Sequence, residues 1–300
     1  MREELFKNCT LCPRKCNVNR LEGKRGYCGM DGTIRAARAA LHMWEEPCIS
    51  GKKGSGAVFF SGCGLRCCFC QNRDIAIGDS GKEISVERLA EIFLELQEKG
   101  AANLNLVTGA HYVPHIISAL ELARGKGMNL HVVYNSSGYE SVETIRRLDG
   151  YVDVYLPDMK YMEPELAAAF SNARDYPQAA QSAIAEMMRQ TGPCQFAENG
   201  YIKRGTIVRH LILPGHTKNS IAVLKYLYRT YGEDIFISVM NQYTPVWKNE
   251  KFPELNRKVT RREYEKVLDA AIELGIENSY FQEGETAEES FIPAFDYEGV

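Results

Sequence analysis

Cysteine placement is the tightest constraint on this chain of 300 residues, because nine of its ten cysteines fall within the first 70 positions. Cys9, Cys12, Cys16 and Cys28 form one group, and Cys63, Cys67, Cys68 and Cys70 a second. Cys48 stands between them and Cys194 stands alone. Uniform scatter does not concentrate thiols in this way, so something binds there. The start, Met1-Arg2-Glu3-Glu4-Leu5-Phe6-Lys7, lacks the apolar stretch of a signal peptide. No run approaches the ~18 apolar residues of a membrane span. The expected compartment is therefore the cytoplasm, where clustered thiols read as metal ligands or reactive groups rather than bridges. A chain of this length buries a large core without disulfides. With 36 Lys+Arg against 39 Asp+Glu, the net charge of −3 excludes a generally basic nucleic-acid binder. Neither a nucleic acid nor a membrane is expected as partner.

After residue 50 the pattern alternates between short β-type runs and amphipathic helices. Strands are expected at 57–61, 103–107, 130–134, 152–156, 206–213 and 235–240. Helices are expected at about 86–99, 115–124, 142–148, 177–189, 221–231 and 261–274. Ser85 offers an N-cap and Gly100 a stop for the first helix. Pro177 suits the N1 position. Thr260 and Glu263 form a capping box before the last helix, whose stripe is Tyr264, Val267, Leu268 and Ala271. About six βα units in series argue for an α/β fold with a parallel sheet. Six units fit an open, partial (β/α)6 TIM-like barrel better than a closed eight-stranded one, with a doubly wound sheet as the alternative. The expected organisation is a cysteine-rich metal-binding segment at 1–50, the partial barrel at 51–250, and a C-terminal helix and capping tail at 251–300.

The run Gly62-Cys63-Gly64-Leu65-Arg66-Cys67-Cys68-Phe69-Cys70-Gln71-Asn72 holds C-x3-C-x2-C directly after the first strand of the series. That position is the C-terminal mouth of a barrel, where chemistry sits. Three thiolates can hold three irons of a [4Fe–4S] cluster, whereas electron-transfer clusters usually have four cysteine ligands. The fourth iron is left open, as in a three-ligand catalytic zinc site.

This motif, with an aromatic before its last cysteine, resembles the radical S-adenosylmethionine (SAM) superfamily. Cys70-Gln71-Asn72-Arg73-Asp74 and Gly81-Lys82-Glu83-Ile84-Ser85-Val86-Glu87 resemble the same region of pyruvate formate-lyase activating enzyme. The chain as a whole resembles an uncharacterised family named after that activase but carrying an extra N-terminal cysteine segment. It is also similar to radical SAM proteins linked to AMMECR-type partners. The resemblance implies Cys63, Cys67 and Cys70 as cluster ligands, and SAM bound through its amino and carboxylate groups at the open iron. It implies reductive cleavage of SAM to a 5′-deoxyadenosyl radical that abstracts hydrogen from a substrate, in an oxidoreductase-type enzyme suited to anaerobic conditions. The cofactors supply the chemistry and the protein supplies orientation and water exclusion. A one-electron donor such as flavodoxin or ferredoxin is implied, and a protein, peptide or small molecule as substrate.

Matching strand ends carries over further positions. Thr108-Gly109-Ala110-His111 occupies the place of the family's glycine-rich GGE segment; Gly109 matches, while Ala110 and His111 depart from the pattern. Asn135 and Ser136 match the segment after the third strand, although serines there also serve as helix caps. Asp158-Met159-Lys160 resembles the activase's Asp-Leu-Lys, so Lys160 is a candidate partner of the SAM carboxylate. Arg209 and Leu213 lie in the stretch resembling its fifth strand, with Leu213 a candidate to flank adenine. His111, His210 and His216 read first as hydrogen-bonded structural histidines. No catalytic residue is assigned.

Cys9, Cys12, Cys16 and Cys28 are a sufficient ligand set for zinc, a mononuclear iron or a second Fe–S cluster. The activase lacks this segment, and other glycyl-radical activases carry extra cysteines after the SAM-cluster motif. A glycyl-radical-enzyme activase therefore stays as an alternative, as does a non-catalytic metal-binding module on a degenerate fold. Cys48 reads most simply as a buried cysteine.

Overall fold

A computed structural model describes residues 4–78, 80–282 and 293–300. Its strands are β1 (Ile34–His42), β2 (Ser55–Phe60), β3 (Lys82–Ile84), β4 (Leu104–Val107), β5 (Val132–Ser136), β6 (Val154–Pro157), β7 (Gln195–Phe196), β8 (Ile202–Leu211), β9 (Phe236–Met240) and β10 (Ser279–Phe281). The main sheet runs β10-β9-β8-β6-β5-β4-β2-β1-β3, with the short β7 paired to β8. From β2 to β10 every neighbouring pair is parallel. Along this parallel run, β2, β4, β5, β6, β8, β9 and β10 each add on the same side of the one before. A doubly wound sheet reverses its order at a switch point, and this one does not. The architecture is an open, partial barrel, as the alternation implies.

All six expected strands are present, as β2, β4, β5, β6, β8 and β9. β4, β5 and β6 are buried along their whole length, the behaviour of strands covered on both faces. Outside them pack helices Val86–Glu98, Val113–Gly125, Val142–Arg147, Tyr176–Thr191, Thr217–Tyr231 and Arg261–Leu274, with an additional helix at Pro164–Ser171. Ser85 caps the first of these, accepting from Arg88 N. Thr260 and Glu263 close both halves of the capping box.

Three features lie outside the sequence expectation. β1, within the segment set apart as 1–50, joins the sheet by antiparallel pairing with β2. β10, in the expected tail, extends the parallel sheet beyond β9. The last residues run along the opposite edge: Ala39 N donates to Glu298 O (2.8 Å) and Arg38 pairs with Asp296 and Glu298.

The β1–β2 connection enters the barrel. Cys48 and Ile49 of its short helix Pro47–Ser50 are buried with Val133, Val154, Leu156 and Ile207, which come from β5, β6 and β8. Asn103 Nδ2 donates to Ile49 O (2.8 Å) and fastens this plug from below. The plug fills the lower interior and makes the floor of whatever the upper interior holds.

Candidate active site

Above the plug lies a cavity of about 470 Å³. Cys63, Cys67 and Cys70 all face it, as do Thr108 after β4, Asn135 and Ser136 at the end of β5, Lys160 after β6 and Arg209 on β8. Four strand ends and the cysteine loop thus converge, because parallel strands deliver all their C-terminal ends to one mouth. Side-chain hydrogen bonds hold the loop there. Gln71 Nε2 donates to Gln242 O (3.1 Å) and Trp247 Nε1 donates to Cys68 O (3.0 Å). The segment after β9 therefore leans over the loop after β2.

Each motif sulfur has polar surroundings. Ser171 Oγ donates to Cys67 Sγ (3.1 Å), and Leu65 N approaches Cys63 Sγ (3.4 Å). Burial pushes the Cys67 thiol up to about 11, although the positive Lys160 pulls the other way. Burial and the neighbouring thiols push Cys70 up to about 12, against the Asn72 backbone N–H. Among the described residues no three His, Cys, Asp or Glu side chains stand at metal-ligating distances. Thiols at such pKa values are neutral, and a bound metal would deprotonate them. The donor set itself, three half-buried sulfurs with N–H and O–H donors aimed at them, fits an iron–sulfur group, whose thiolates are tuned by such bonds.

The floor carries a buried charge network. Arg209 Nε donates to Asp158 (3.0 Å), Nη1 to Glu45 (3.2 Å) and Nη2 to Asn135 Oδ1 (2.6 Å). Lys160 Nζ donates to the other Asp158 oxygen (2.5 Å). Asn105 and Asn135 donate to Glu45 Oε1 at 3.0 and 3.1 Å. Burial raises the Asp158 pKa, but Lys160 and Arg209 outweigh it and hold the carboxyl below its ordinary value. Thr108 adopts φ 62°, a left-handed backbone that a β-branched residue rarely takes. Such strain clusters where a side chain must be aimed.

Two of the positions matched from sequence lie elsewhere. Gly109 is not among the residues lining the cavity, and a Cβ there would meet Ile116 Cδ1 at 2.5 Å. Leu213 follows the end of β8 and is buried in the core with Ile212, Val223 and Leu224. Its carbonyl accepts from His216 N as the chain turns, which takes it off the cavity face. His111 is structural: Nε2 donates to Ser61 O (2.7 Å), and burial lowers its pKa to about 3. His210 is held between Met159 O and Ser220 Oγ.

Sequence matching missed Glu45 and Glu46. Both line the cavity from the plug, outside the βα series. The available signal was an acidic pair set between Trp44 and Pro47.

The N-terminal thiols form a second neighbourhood. Arg20, buried, donates to Asp31 O and His111 O and fixes the segment beneath the barrel rim. Arg14 donates to Gly64 O (2.8 Å) and Ser171 O (3.0 Å), tying it to the motif loop. A Cβ on Gly26 would stand 3.4 Å from Cys16 Sγ and 3.8 Å from Cys28 Sγ, and one on Gly64 would stand 3.5 Å from Cys12 Sγ.

With this geometry in place, residues 57–227 match the Radical SAM superfamily. The chain belongs to that superfamily. It is 30% identical over 285 residues to uncharacterized protein MJ0674 of Methanocaldococcus jannaschii, covering 93% of this chain and 78% of that one. It is 27% identical over 113 residues to the pyruvate formate-lyase-activating enzyme of Clostridium pasteurianum, 36% of this chain and 46% of that one. The fold resembles the FeFe-hydrogenase maturase HydG from Carboxydothermus hydrogenoformans, with a TM-score of 0.50 and 14% identity over 77% of this chain. The match spans 54% of the maturase, about half its length, and carries the fold alone. Membership of the superfamily implies a [4Fe–4S] cluster and SAM. Among the described residues no helix is long and apolar enough to cross a membrane.

Proposed function

We propose that this protein is a radical SAM enzyme that reductively cleaves SAM and passes a hydrogen atom from an organic substrate to the resulting radical. The observation that carries this reading is the convergence of Cys63, Cys67 and Cys70 with four strand ends on one cavity. Cys63, Cys67 and Cys70 would hold the cluster. When bound, the cluster and SAM together supply the 5′-deoxyadenosyl radical. The chain's own residues position and shield. Lys160, a half-buried cation, supplies a point charge for a carboxylate, while Asp158 keeps it in place. Thr108, Asn135 and Ser136 offer hydroxyl and amide groups around it. Arg209 spends its nitrogens on Asp158, Glu45 and Asn135, so its part is to brace those groups. The Gln71–Gln242 and Trp247–Cys68 bonds hold the mouth together against water.

Cys9, Cys12, Cys16 and Cys28 would hold a second metal centre, as zinc, iron or a further cluster. The convergence of Cys16 and Cys28 on Gly26 supports it. The test of the main reading is 5′-deoxyadenosine formation by anaerobically reconstituted protein with dithionite and SAM. Iron-loaded protein that neither binds nor cleaves SAM would refute it and favour a binding module. The activase alternative is favoured by the partial match to the Clostridium pasteurianum enzyme. It predicts a glycyl-radical EPR signal on incubation with a partner enzyme.

A further inference from the structure

We infer that Glu46 anchors a substrate subsite in the same cavity, and that this subsite takes an organic cation, a protonated amine of the kind a lysine side chain carries. The inference rests on the reading of the cavity as a reaction site and adds the class of group it admits. On the floor, Glu45 and Asp158 are answered by Arg209 and Lys160, each charge within 3.2 Å of an opposite one. Glu46 is the carboxylate left over. It is only 8% exposed and lines the cavity, burial raises its pKa, and its Oε2 has no hydrogen-bond partner. Arg209 lies in its field, but all three guanidinium nitrogens are directed at other oxygens. A buried carboxylate oxygen without a donor is costly, and a ligand's N–H removes that cost.

The surroundings favour a cation over a neutral donor. Trp44, Tyr280 and Phe281 line the same cavity. Aromatic faces beside a carboxylate attract an ammonium group and repel an anion. Place in the fold separates this corner from the candidate SAM contacts. Thr108, Asn135, Ser136 and Lys160 follow β4, β5 and β6, next to the cysteine loop on β2. Ser238 and Tyr280, beside Glu46, lie on β9 and β10 at the other end of the parallel order. Glu46 itself precedes the plug helix and rises from the floor between them.

The test is calorimetric titration of the reconstituted full chain, with SAM present, using Nα-acetyl-lysine methylamide and its norleucine counterpart as probes. The lysine probe is expected to bind about tenfold or more tightly than the norleucine probe, the scale of one charge-assisted hydrogen bond. Glu46→Gln is expected to bring that ratio near one, with SAM affinity, measured by equilibrium dialysis, changed by less than about twofold. Equal affinity for the two probes, or binding of neither, overturns the inference, and needs only the unmodified protein. A lysine preference that survives Glu46→Gln overturns it too, as does a parallel loss of SAM affinity. Titration reads binding without turnover, so a failure to form 5′-deoxyadenosine would count against the proposed reaction and not against this subsite.

Discussion

The two cysteine groups share the first 70 residues but occupy different kinds of place. Cys63, Cys67 and Cys70 face a cavity ringed by hydrogen-bonding side chains from four strand ends. Cys9, Cys12, Cys16 and Cys28 lie outside that lining, in a segment clamped under the rim by Arg20 and Arg14. On the proposed function, three thiolates beside open space would make a centre that admits a substrate, and four within a packed segment would close one off. On that reading, thiol number and surroundings together would separate a reactive site from a structural or relay site. The two are joined mechanically, since Arg14 bonds both Gly64 of the motif loop and Ser171, whose hydroxyl in turn donates to Cys67.

The largest effect expected from breaking this comparison is at the open group. Cys63→Ala should remove SAM cleavage altogether and lower the iron content, measured by product mass spectrometry and metal analysis. Next is the floor beneath it. Arg209→Leu leaves Asp158 and Glu45 buried without their shared cation and should cost about 3–5 kcal/mol in urea unfolding. A smaller effect belongs to the ground between the groups. Burial raises the Glu140 carboxyl from 4.5 to about 8. Its folded pKa is the higher one, so its contribution is full below the ordinary carboxyl range and is lost as pH rises through about 8. Glu140→Gln should flatten the fall in melting temperature across that window, and an unchanged pH slope would show the effect to lie elsewhere. Smallest is Thr260→Ala, remote from both groups, which removes the capping box at a cost of about 1 kcal/mol and should leave SAM binding untouched.

What could be read before the structure divides along the same line as what is local. The six strands and the helix Arg261–Leu274 follow from apolar period, caps and turn residues that lie within a few positions of one another. The cysteine motif was legible from its spacing after the first strand, and the polar groups at Thr108, Asn135, Ser136, Lys160 and Arg209 from a family resemblance matched strand end by strand end; they face one cavity because a parallel βα series sends every strand end to one mouth. β1 was not legible: Ile34-Arg35-Ala36-Ala37-Arg38-Ala39-Ala40-Leu41-His42 is rich in alanine, which is depleted in strands, and it is held by pairing with β2. The plug escaped for the same reason. Nothing near Glu45 announces that Arg209, 164 positions away, will pair with it. Leu213 shows the limit of carrying positions over by resemblance, since β8 ends at Leu211 and the turn after it redirects the side chain.

The most direct test of the account sets the two groups side by side. Wild-type protein, Cys63→Ala and Cys12→Ala would each be reconstituted anaerobically and assayed for 5′-deoxyadenosine with dithionite and SAM. The account predicts product from the wild type, none from Cys63→Ala, and product from Cys12→Ala at a level that follows its remaining folded fraction. Wild-type turnover by Cys63→Ala would contradict it.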